Sequence, residues 1–124
     1  MTKQQAGFTL IELVMVIVIL GLLAATALPR FVDLSSEAET AALAGVAGGM
    51  GSAMAVNYAA CVAGNAACQP VADCGDTASV MVGGALPAGY TVGPGAIGAA
   101  RGDTAPCTVT RTGGGSTTFT GIHS

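Results

Sequence analysis

The strongest constraint on this chain is an apolar run close to its N-terminus. From Phe8 to Pro29 the only ionisable side chain is Glu12. At a rise of about 1.5 Å per residue, a helix from Phe8 to Leu28 spans the roughly 30 Å hydrocarbon core of a bilayer. A helix that is apolar on all sides suits either lipid or the interior of a helical assembly. Lys3 lies before the run, and a positive residue there favours a cytoplasmic location for that end.

The remainder of the chain has the composition of a small exported domain. Its 124 residues include three Phe, two Tyr and no Trp, so burial of large side chains stabilises it weakly. Its four cysteines favour disulfides formed in an oxidising compartment. They permit three connectivities, of which we favour Cys61 with Cys68 and Cys74 with Cys107. The spacings lack the C-x-x-C pairs of structural zinc sites, and neither a metal nor a cofactor is expected.

Two modes of export are compatible with the apolar run. Ala25-Thr26-Ala27 resembles the A-x-A site of a secretory signal peptide, and cleavage there leaves Leu28 as the first mature residue. Glu12 argues against this interpretation, because a carboxylate at the start of an apolar core costs several kcal/mol unless it is paired or protonated. A signal that is removed has no use for such a residue.

The start of the run carries a specific family motif. Gly7-Phe8-Thr9-Leu10-Ile11-Glu12-Leu13 resembles the prepilin cleavage and methylation motif of type IV pilins and related pseudopilins. The stretch from Gly7 to Gly45 is most similar to pilins of the mannose-sensitive haemagglutinin type, on the residues Thr26-Ala27-Leu28-Pro29-Arg30-Phe31 and Thr40-Ala41-Ala42-Leu43.

The resemblance implies a processing and assembly route. A prepilin peptidase cuts between Gly7 and Phe8 on the cytoplasmic side and N-methylates Phe8. The precursor is a single-pass protein of the inner membrane with its leader in the cytoplasm. A pilus assembly platform then adds it to other pilin subunits in an extracellular homopolymer, which serves adhesion or surface attachment.

Glu12 has two interpretations. In a filament core its carboxylate needs a cation, and the amine of the cleaved Phe8 on a neighbouring subunit supplies one and sets the axial register. Alternatively, Thr9 and Glu12 have the T-x-x-E spacing of a capping box within one helix. We favour the assembly role, and both interactions are compatible with different states.

The predicted fold class is α+β, the disulfide-stabilised pilin fold, in three segments. These are a leader (1–7), a transmembrane and filament-core helix (8–30) and a head domain (31–124). Pro29 either kinks the helix or marks the end of the membrane span. The helix then continues as an amphipathic half to about Tyr58. Alternatively, it breaks at Pro29, and a new helix starts at the capping box that Ser36 to Glu39 match.

The head domain is predicted to be a small antiparallel sheet laid on this helix. A stripe at helical spacing faces the sheet: Leu43, Ala47, Met50, Met54 and Tyr58. The strands are predicted at Ser79–Val82, Tyr90–Val92, Cys107–Arg111 and Ser116–Thr120, with a hairpin at Gly113-Gly114-Gly115. The helix also has clustered glycines, and we expect their face to meet either the domain's own sheet or a neighbouring pilin: Gly45, Gly48, Gly49 and Gly51.

The sequence offers no convincing enzyme site. His123 is the only imidazole, and so close to the C-terminus we expect it to be solvated. Three aspartates are calcium candidates that more often stay solvated: Asp73, Asp76 and Asp103. Arg101-Gly102-Asp103 spells an adhesion tripeptide, although a turn explains it equally. A formal charge of −3 without a Lys or Arg cluster argues against nucleic acid as a partner.

Two other functions compete with the pilus subunit. A type II secretion pseudopilin has the same N-terminal chemistry, whereas a secreted disulfide-bonded binding module requires cleavage before Leu28.

Overall fold

A computed structural model describes residues 7–124 of the chain, with the side chains of residues 7–28 and 34–124. The chain forms two compact units, Met1–Ala38 and Glu39–Ser124. Apart from Gly7, the predicted leader lies outside the described residues. The predicted boundaries at 7/8 and 30/31 stay predictions.

One long helix, α1, runs from Leu10 to Val62. The alternative in which a new helix starts at Ser36 is therefore wrong. A proline in a helix interior costs about 3 kcal/mol or more, yet α1 continues through Pro29 without a break. The side chain of Pro29 is outside the described part, so the kink stays a prediction.

The C-terminal end of α1 is closed by backbone hydrogen bonds. Asn65 N donates to Ala60 O at 2.9 Å and Gly64 N donates to Cys61 O at 3.2 Å. Gly64 has a φ of 67°, the left-handed conformation that this type of helix end requires. The Cys61–Cys68 disulfide ties the following turn to the last turn of the helix.

A short 3-10 helix, Cys74–Val80, includes the first two of the four residues where the first strand was expected, and a bend and a turn follow at Met81 and Val82. The prediction of a strand at Ser79–Val82 is wrong because side chains here bond to their own backbone. Thr77 Oγ1 donates to Cys74 O at 2.6 Å, and Ser79 Oγ donates to Asp76 O at 2.7 Å. Such local bonds compete with a strand ladder.

The sheet has three antiparallel strands in the order β1 (Tyr90–Val92), β2 (Thr104–Arg111) and β3 (Ser116–Ile122). The glycine hairpin is confirmed, with φ of 102°, 118° and 88° at Gly113, Gly114 and Gly115. Strand β2 begins three residues earlier than Cys107 and includes Pro106. Pro106 is tolerated because β1 pairs only with Val109 to Arg111, so no neighbouring strand requires its missing N–H.

The core of the head domain lies between α1 and the sheet. The predicted stripe is confirmed, since Leu43, Ala47, Met50 and Met54 are buried and Tyr58 is half-buried. The four buried residues of the stripe belong to one cluster with the second disulfide, Cys74–Cys107, and with residues of the sheet and the loops: Val71, Ile97, Val109 and Phe119. Both disulfides are the pairs that were favoured from the sequence.

The clustered glycines of α1 do not contact the sheet. A Cβ atom placed on Gly45, Gly48, Gly49 or Gly51 would meet no atom within 4 Å. The alternative in which this face packs on the domain's own sheet is therefore wrong. Contact with a neighbouring pilin stays a prediction.

Candidate functional site

The cleavage motif lies in an exposed segment that precedes the helix. Gly7, Phe8 and Thr9 have no regular secondary structure, and Phe8 is 90% exposed. A Cβ atom on Gly7 would meet no atom within 4 Å. Nothing in the described part of the chain therefore requires glycine at position 7, and the Gly7–Phe8 bond is open to a protease.

Thr9 and Glu12 form a reciprocal capping arrangement at the start of α1. Thr9 N and Thr9 Oγ1 both donate to Glu12 Oε2 at 2.9 Å, and Glu12 N donates to Thr9 Oγ1 at 3.4 Å. The side chain of each residue thus satisfies a backbone N–H of the other, as the spacing predicted. Both bonds to the carboxylate use one oxygen, so Oε1 stays available to a further donor.

The first part of α1 exposes a continuous apolar surface. Leu10–Leu28 is long and apolar enough to cross a membrane, and none of it is buried against the rest of the protein. Many of its large side chains are more than half exposed, including Leu10, Ile17 and Leu22. An exposed apolar surface of this extent marks a membrane-contacting or self-associating segment.

A shallow groove lies beside the carboxylate of Glu12. It has a volume of about 380 Å³ and is lined by Phe8, Ile11, Glu12, Met15 and Val16. The motif residues Phe8 and Glu12 thus share one surface with apolar side chains of the next helical turn. The groove combines an apolar lining with a single negative charge.

Comparison with known proteins assigns this N-terminal segment. The prokaryotic N-terminal methylation motif matches residues 2–28. The type IV narrow pilus major component PilA5 of Thermus thermophilus is 54% identical over 50 residues, covering 40% of this chain and 43% of that protein. Fimbrial protein EcpC of Eikenella corrodens is 46% identical over 59 residues, covering 47% and 39%. The type IV major pilin protein PilE1 of Neisseria gonorrhoeae is 45% identical over 58 residues, covering 47% and 35%.

These features define a protein of the N-terminal methylation class, with a helix suited to a membrane. Within that class the chain is similar to type IV pilins over less than half of its length. Type IV pilins are structural subunits rather than enzymes. The chain spans less than half the length of these relatives, and no solved structure matches it. The closer resemblance to mannose-sensitive haemagglutinin pilins stays a prediction.

The three calcium candidates instead hold local backbone. Asp73 accepts hydrogen bonds from Gly75 N at 2.8 Å and from Gly95 N at 3.1 Å. Asp76 Oδ2 accepts from Asp73 N at 3.1 Å, which completes the cap of the 3-10 helix. Among the side chains of residues 7–28 and 34–124, no three from His, Cys, Asp or Glu form a group able to hold a metal ion.

The Arg101-Gly102-Asp103 tripeptide lies in a tight turn. Asp103 Oδ2 accepts hydrogen bonds from Ala99 N at 3.0 Å and Ala100 N at 2.9 Å. Its carboxylate is therefore engaged within its own loop rather than presented to a partner. The tripeptide is therefore explained by a turn, which was the alternative to an adhesion motif in the sequence analysis.

The C-terminal residues are fixed in the head domain, and the prediction of a solvated tail histidine is wrong. His123 N donates to Asp103 O at 2.8 Å, and its Nδ1 is buried without a partner among the described residues. Ser124 N donates to Val71 O at 3.1 Å. Backbone hydrogen bonds beyond the end of β3 therefore order the last two residues. The prediction was wrong because it assumed that chain ends are generally mobile.

Sequence reasoning missed the residue that ties the helix to the long loop after it. Asn57 is buried on α1 beside the stripe, and its side chain bonds the backbone of Gln69. A lone polar residue among small apolar neighbours was the only available signal. Elsewhere on the helix, Glu39 forms an ion pair with Arg111 at the end of β2.

Proposed function

We propose that this chain is the structural subunit of an extracellular type IV pilus. The observation that carries the proposal is the exposed apolar segment Leu10–Leu28, in which Glu12 is the only ionisable side chain and which follows the exposed Phe8 of the cleavage motif. A membrane anchor needs the apolar surface, and a disposable signal needs no carboxylate at its start. A subunit that leaves the membrane for a filament core uses both.

A prepilin peptidase cleaves between Gly7 and Phe8, and this reaction gives each of the two residues a role. Because Gly7 has open space around it, its small size is required by the peptidase rather than by this chain. Cleavage creates a new amine at Phe8, which the same enzyme methylates. This amine is the only new cation beside the apolar surface.

Glu12 is the acceptor of that amine on a neighbouring subunit. Its Oε2 accepts both bonds from Thr9, and Oε1 is available at a groove lined by apolar side chains. A charged pair enclosed by apolar helices gains from the low local dielectric but is costly when only one partner is present. Subunits in the correct axial register are therefore favoured over subunits out of register.

The precursor resides in the inner membrane as a single-pass protein with its leader in the cytoplasm. An assembly platform extracts it and adds it to other copies of the chain, and the head domain forms the outer surface of the filament. Attachment to cells or surfaces is the purpose we assign to the filament. Attachment through the outer surface of the filament requires neither an enzyme site nor a cofactor.

Intact mass and N-terminal sequencing of the mature protein from its own cells test the processing. A chain that begins at N-methylated Phe8 supports the proposal, and a chain that begins at Leu28 contradicts it. A Gly7→Val precursor is the matched variant, because it alters the cleavage site and leaves the helix unchanged. We expect this precursor to insert in the membrane and to stay uncleaved.

Electron microscopy of the cell surface separates a pilus subunit from a pseudopilin. Filaments that extend from cells and contain the mature chain support the pilus. The secretion pseudopilin is supported instead if the mature chain is expressed normally but is found only in the cell envelope, and if deletion of its gene abolishes protein secretion.

A further inference from the structure

Helix α1 begins at Leu10 because Thr9 caps it. Thr9 lies outside the helix, yet its carbonyl oxygen accepts from Leu13 N at 3.2 Å, which is the first hydrogen bond of the helical ladder. Thr9 Oγ1 accepts from Glu12 N at 3.4 Å, as the side chain of an N-cap residue does. Because an N-cap residue has a non-helical backbone, the chain before Thr9 continues outside the helix, and Gly7 and Phe8 have no regular structure.

The residues before the motif do not themselves stop a helix. Gln4, Gln5 and Ala6 are of types with high helix propensity, and Gly7 is the one strongly helix-weakening residue between them and the cap. A single glycine weakens a helix without ending it. A helix that continued for one more turn towards the N-terminus would therefore include the Gly7–Phe8 bond.

A helical Gly7–Phe8 bond is a poor substrate for a protease. Inside a helix the N–H and C=O of each peptide group point along the axis and are bonded within the ladder, and side chains of neighbouring turns surround them. Proteolysis instead concentrates in exposed segments without regular structure. Gly7 and Phe8 are exposed and non-helical, so the state that the cap maintains is the state that a peptidase can bind.

We propose that Thr9 is a positioning residue for leader removal: its cap stops α1 at Leu10 and so keeps the Gly7–Phe8 bond outside the helix. Thr9 acts through the conformation of the backbone rather than through contact with the peptidase. The inference rests on the proposed function, because it requires cleavage at this bond. It concerns the rate of processing, so a precursor without the cap matures more slowly and still forms filaments.

Cleavage of the full-length precursor by a prepilin peptidase in detergent micelles tests this role. Thr9→Val keeps the size and branching of threonine but has no hydroxyl. We expect its kcat/KM to be about two- to fivefold lower, the range set by the typical cost of a lost N-cap. The change should lie in KM, with kcat unchanged, because the peptidase binds only the fraction of precursor whose Gly7–Phe8 bond is non-helical.

Two further variants keep the cap with different chemistry. Thr9→Ser retains a hydroxyl, and Thr9→Asn replaces the hydroxyl with an amide oxygen as the acceptor; both residues are favoured at N-caps. We expect both precursors to be cleaved at the rate of the unmodified one. If Thr9→Asn is instead as slow as Thr9→Val while Thr9→Ser is normal, the peptidase recognises the hydroxyl itself, and the capping role is overturned.

A second-site change separates helix extension from direct recognition. Gln5→Gly/Ala6→Gly lowers the helix propensity of the residues before the motif. In this background Thr9→Val should no longer change kcat/KM, because the extended helix is then unfavourable with or without the cap. Backbone NMR chemical shifts of Gly7 and Phe8 in uncleaved precursors give the structural readout, and we expect helical values to increase with Thr9→Val but not with Thr9→Ser.

Three results overturn the role of the cap while cleavage occurs at the predicted bond. They are an unchanged KM for Thr9→Val, slow cleavage of Thr9→Val with unchanged shifts at Gly7 and Phe8, and an equal effect of Thr9→Val with and without the two added glycines. An unmodified precursor that the peptidase does not cleave between Gly7 and Phe8 overturns the proposed function instead, and this inference with it.

Discussion

The side chain of Asn57 pairs with the backbone of Gln69 as a second strand would. Its Oδ1 accepts from Gln69 N at 2.8 Å, and its Nδ2 donates to Gln69 O at 2.8 Å. Nδ2 also donates to Ser124 Oγ at 3.0 Å. One buried amide on α1 therefore holds both the loop after the helix and the end of the chain.

Replacing this amide should destabilise the head domain. Asn57→Ala leaves the N–H and C=O of Gln69 without their partners, and we expect a loss of about 1–3 kcal/mol in the free energy of unfolding. For a domain of this size that lowers Tm by about 4–8 °C per kcal/mol. Thermal unfolding of the full mature chain in detergent, followed by circular dichroism, measures it.

Gln69→Ala is the control for that experiment. Gln69 is exposed and contributes only backbone atoms to these bonds, so we expect its truncation to stay within about 0.5 kcal/mol of the unmodified protein. Equal destabilisation by the two variants would contradict the role assigned to Asn57.

Substitutions at Glu12 and Thr9 distinguish the role of Glu12 in filament assembly from its role in helix capping. Glu12→Ala should leave the precursor in the membrane and cleavable at Gly7 but block filament formation, because the Phe8 amine then has no acceptor. Thr9→Ala removes the capping hydroxyl, at a typical cost of about 1 kcal/mol, and keeps the carboxylate. We expect Thr9→Ala to assemble. Electron microscopy and N-terminal sequencing provide the two measurements, and normal filaments from Glu12→Ala would remove the register role.

The two disulfides should contribute unequally to stability. Cys74–Cys107 has a sequence separation of 33, and Cys61–Cys68 has one of 7. Loop-closure entropy gives about 3.7 kcal/mol for the first and about 2.4 kcal/mol for the second. We therefore expect Cys74→Ala/Cys107→Ala to lower Tm more than Cys61→Ala/Cys68→Ala. The reverse order in thermal melts would show that native-state packing at the helix end outweighs chain entropy.

The same glycine-to-alanine change should have opposite effects at two positions. A Cβ atom on Gly121 would lie 2.6 Å from Cys107 Sγ and 2.8 Å from Ile97 Cδ1, so Gly121→Ala must displace the core and lower Tm. A Cβ atom on Gly48 meets nothing within 4 Å, so Gly48→Ala should stabilise α1 by up to about 1 kcal/mol. Melts of the two variants that shift in the same direction would contradict this pair of predictions.

Local patterns predicted those parts of the fold that local physics determines. The stripe from Leu43 to Met54 is buried because helical spacing puts its members on one face. The hairpin forms because three consecutive glycines adopt positive φ at little steric cost. The capping bonds of Thr9 follow from a spacing within one helical turn.

The remaining features depend on partners distant in sequence. Ile97 is fully buried although it lies in a glycine-rich loop, because the Cys74–Cys107 bond and Gly121 form its surroundings. The start of the 3-10 helix also depends on a distant segment, because Asp73 Oδ2 accepts from Gly95 N at 3.1 Å and Cys74 N donates to Gly95 O at 2.7 Å. Single-sequence patterns do not contain these distant contacts.

The connectivity of the disulfides bears on how the head domain matures during export. The first cysteine of the chain is bonded to the second and the third to the fourth, Cys61 to Cys68 and Cys74 to Cys107. A translocating chain emerges from its N-terminal side, so an oxidase that joins cysteines in their order of emergence produces the native pairs directly. With that order of pairing, the head domain reaches its native disulfides without isomerisation.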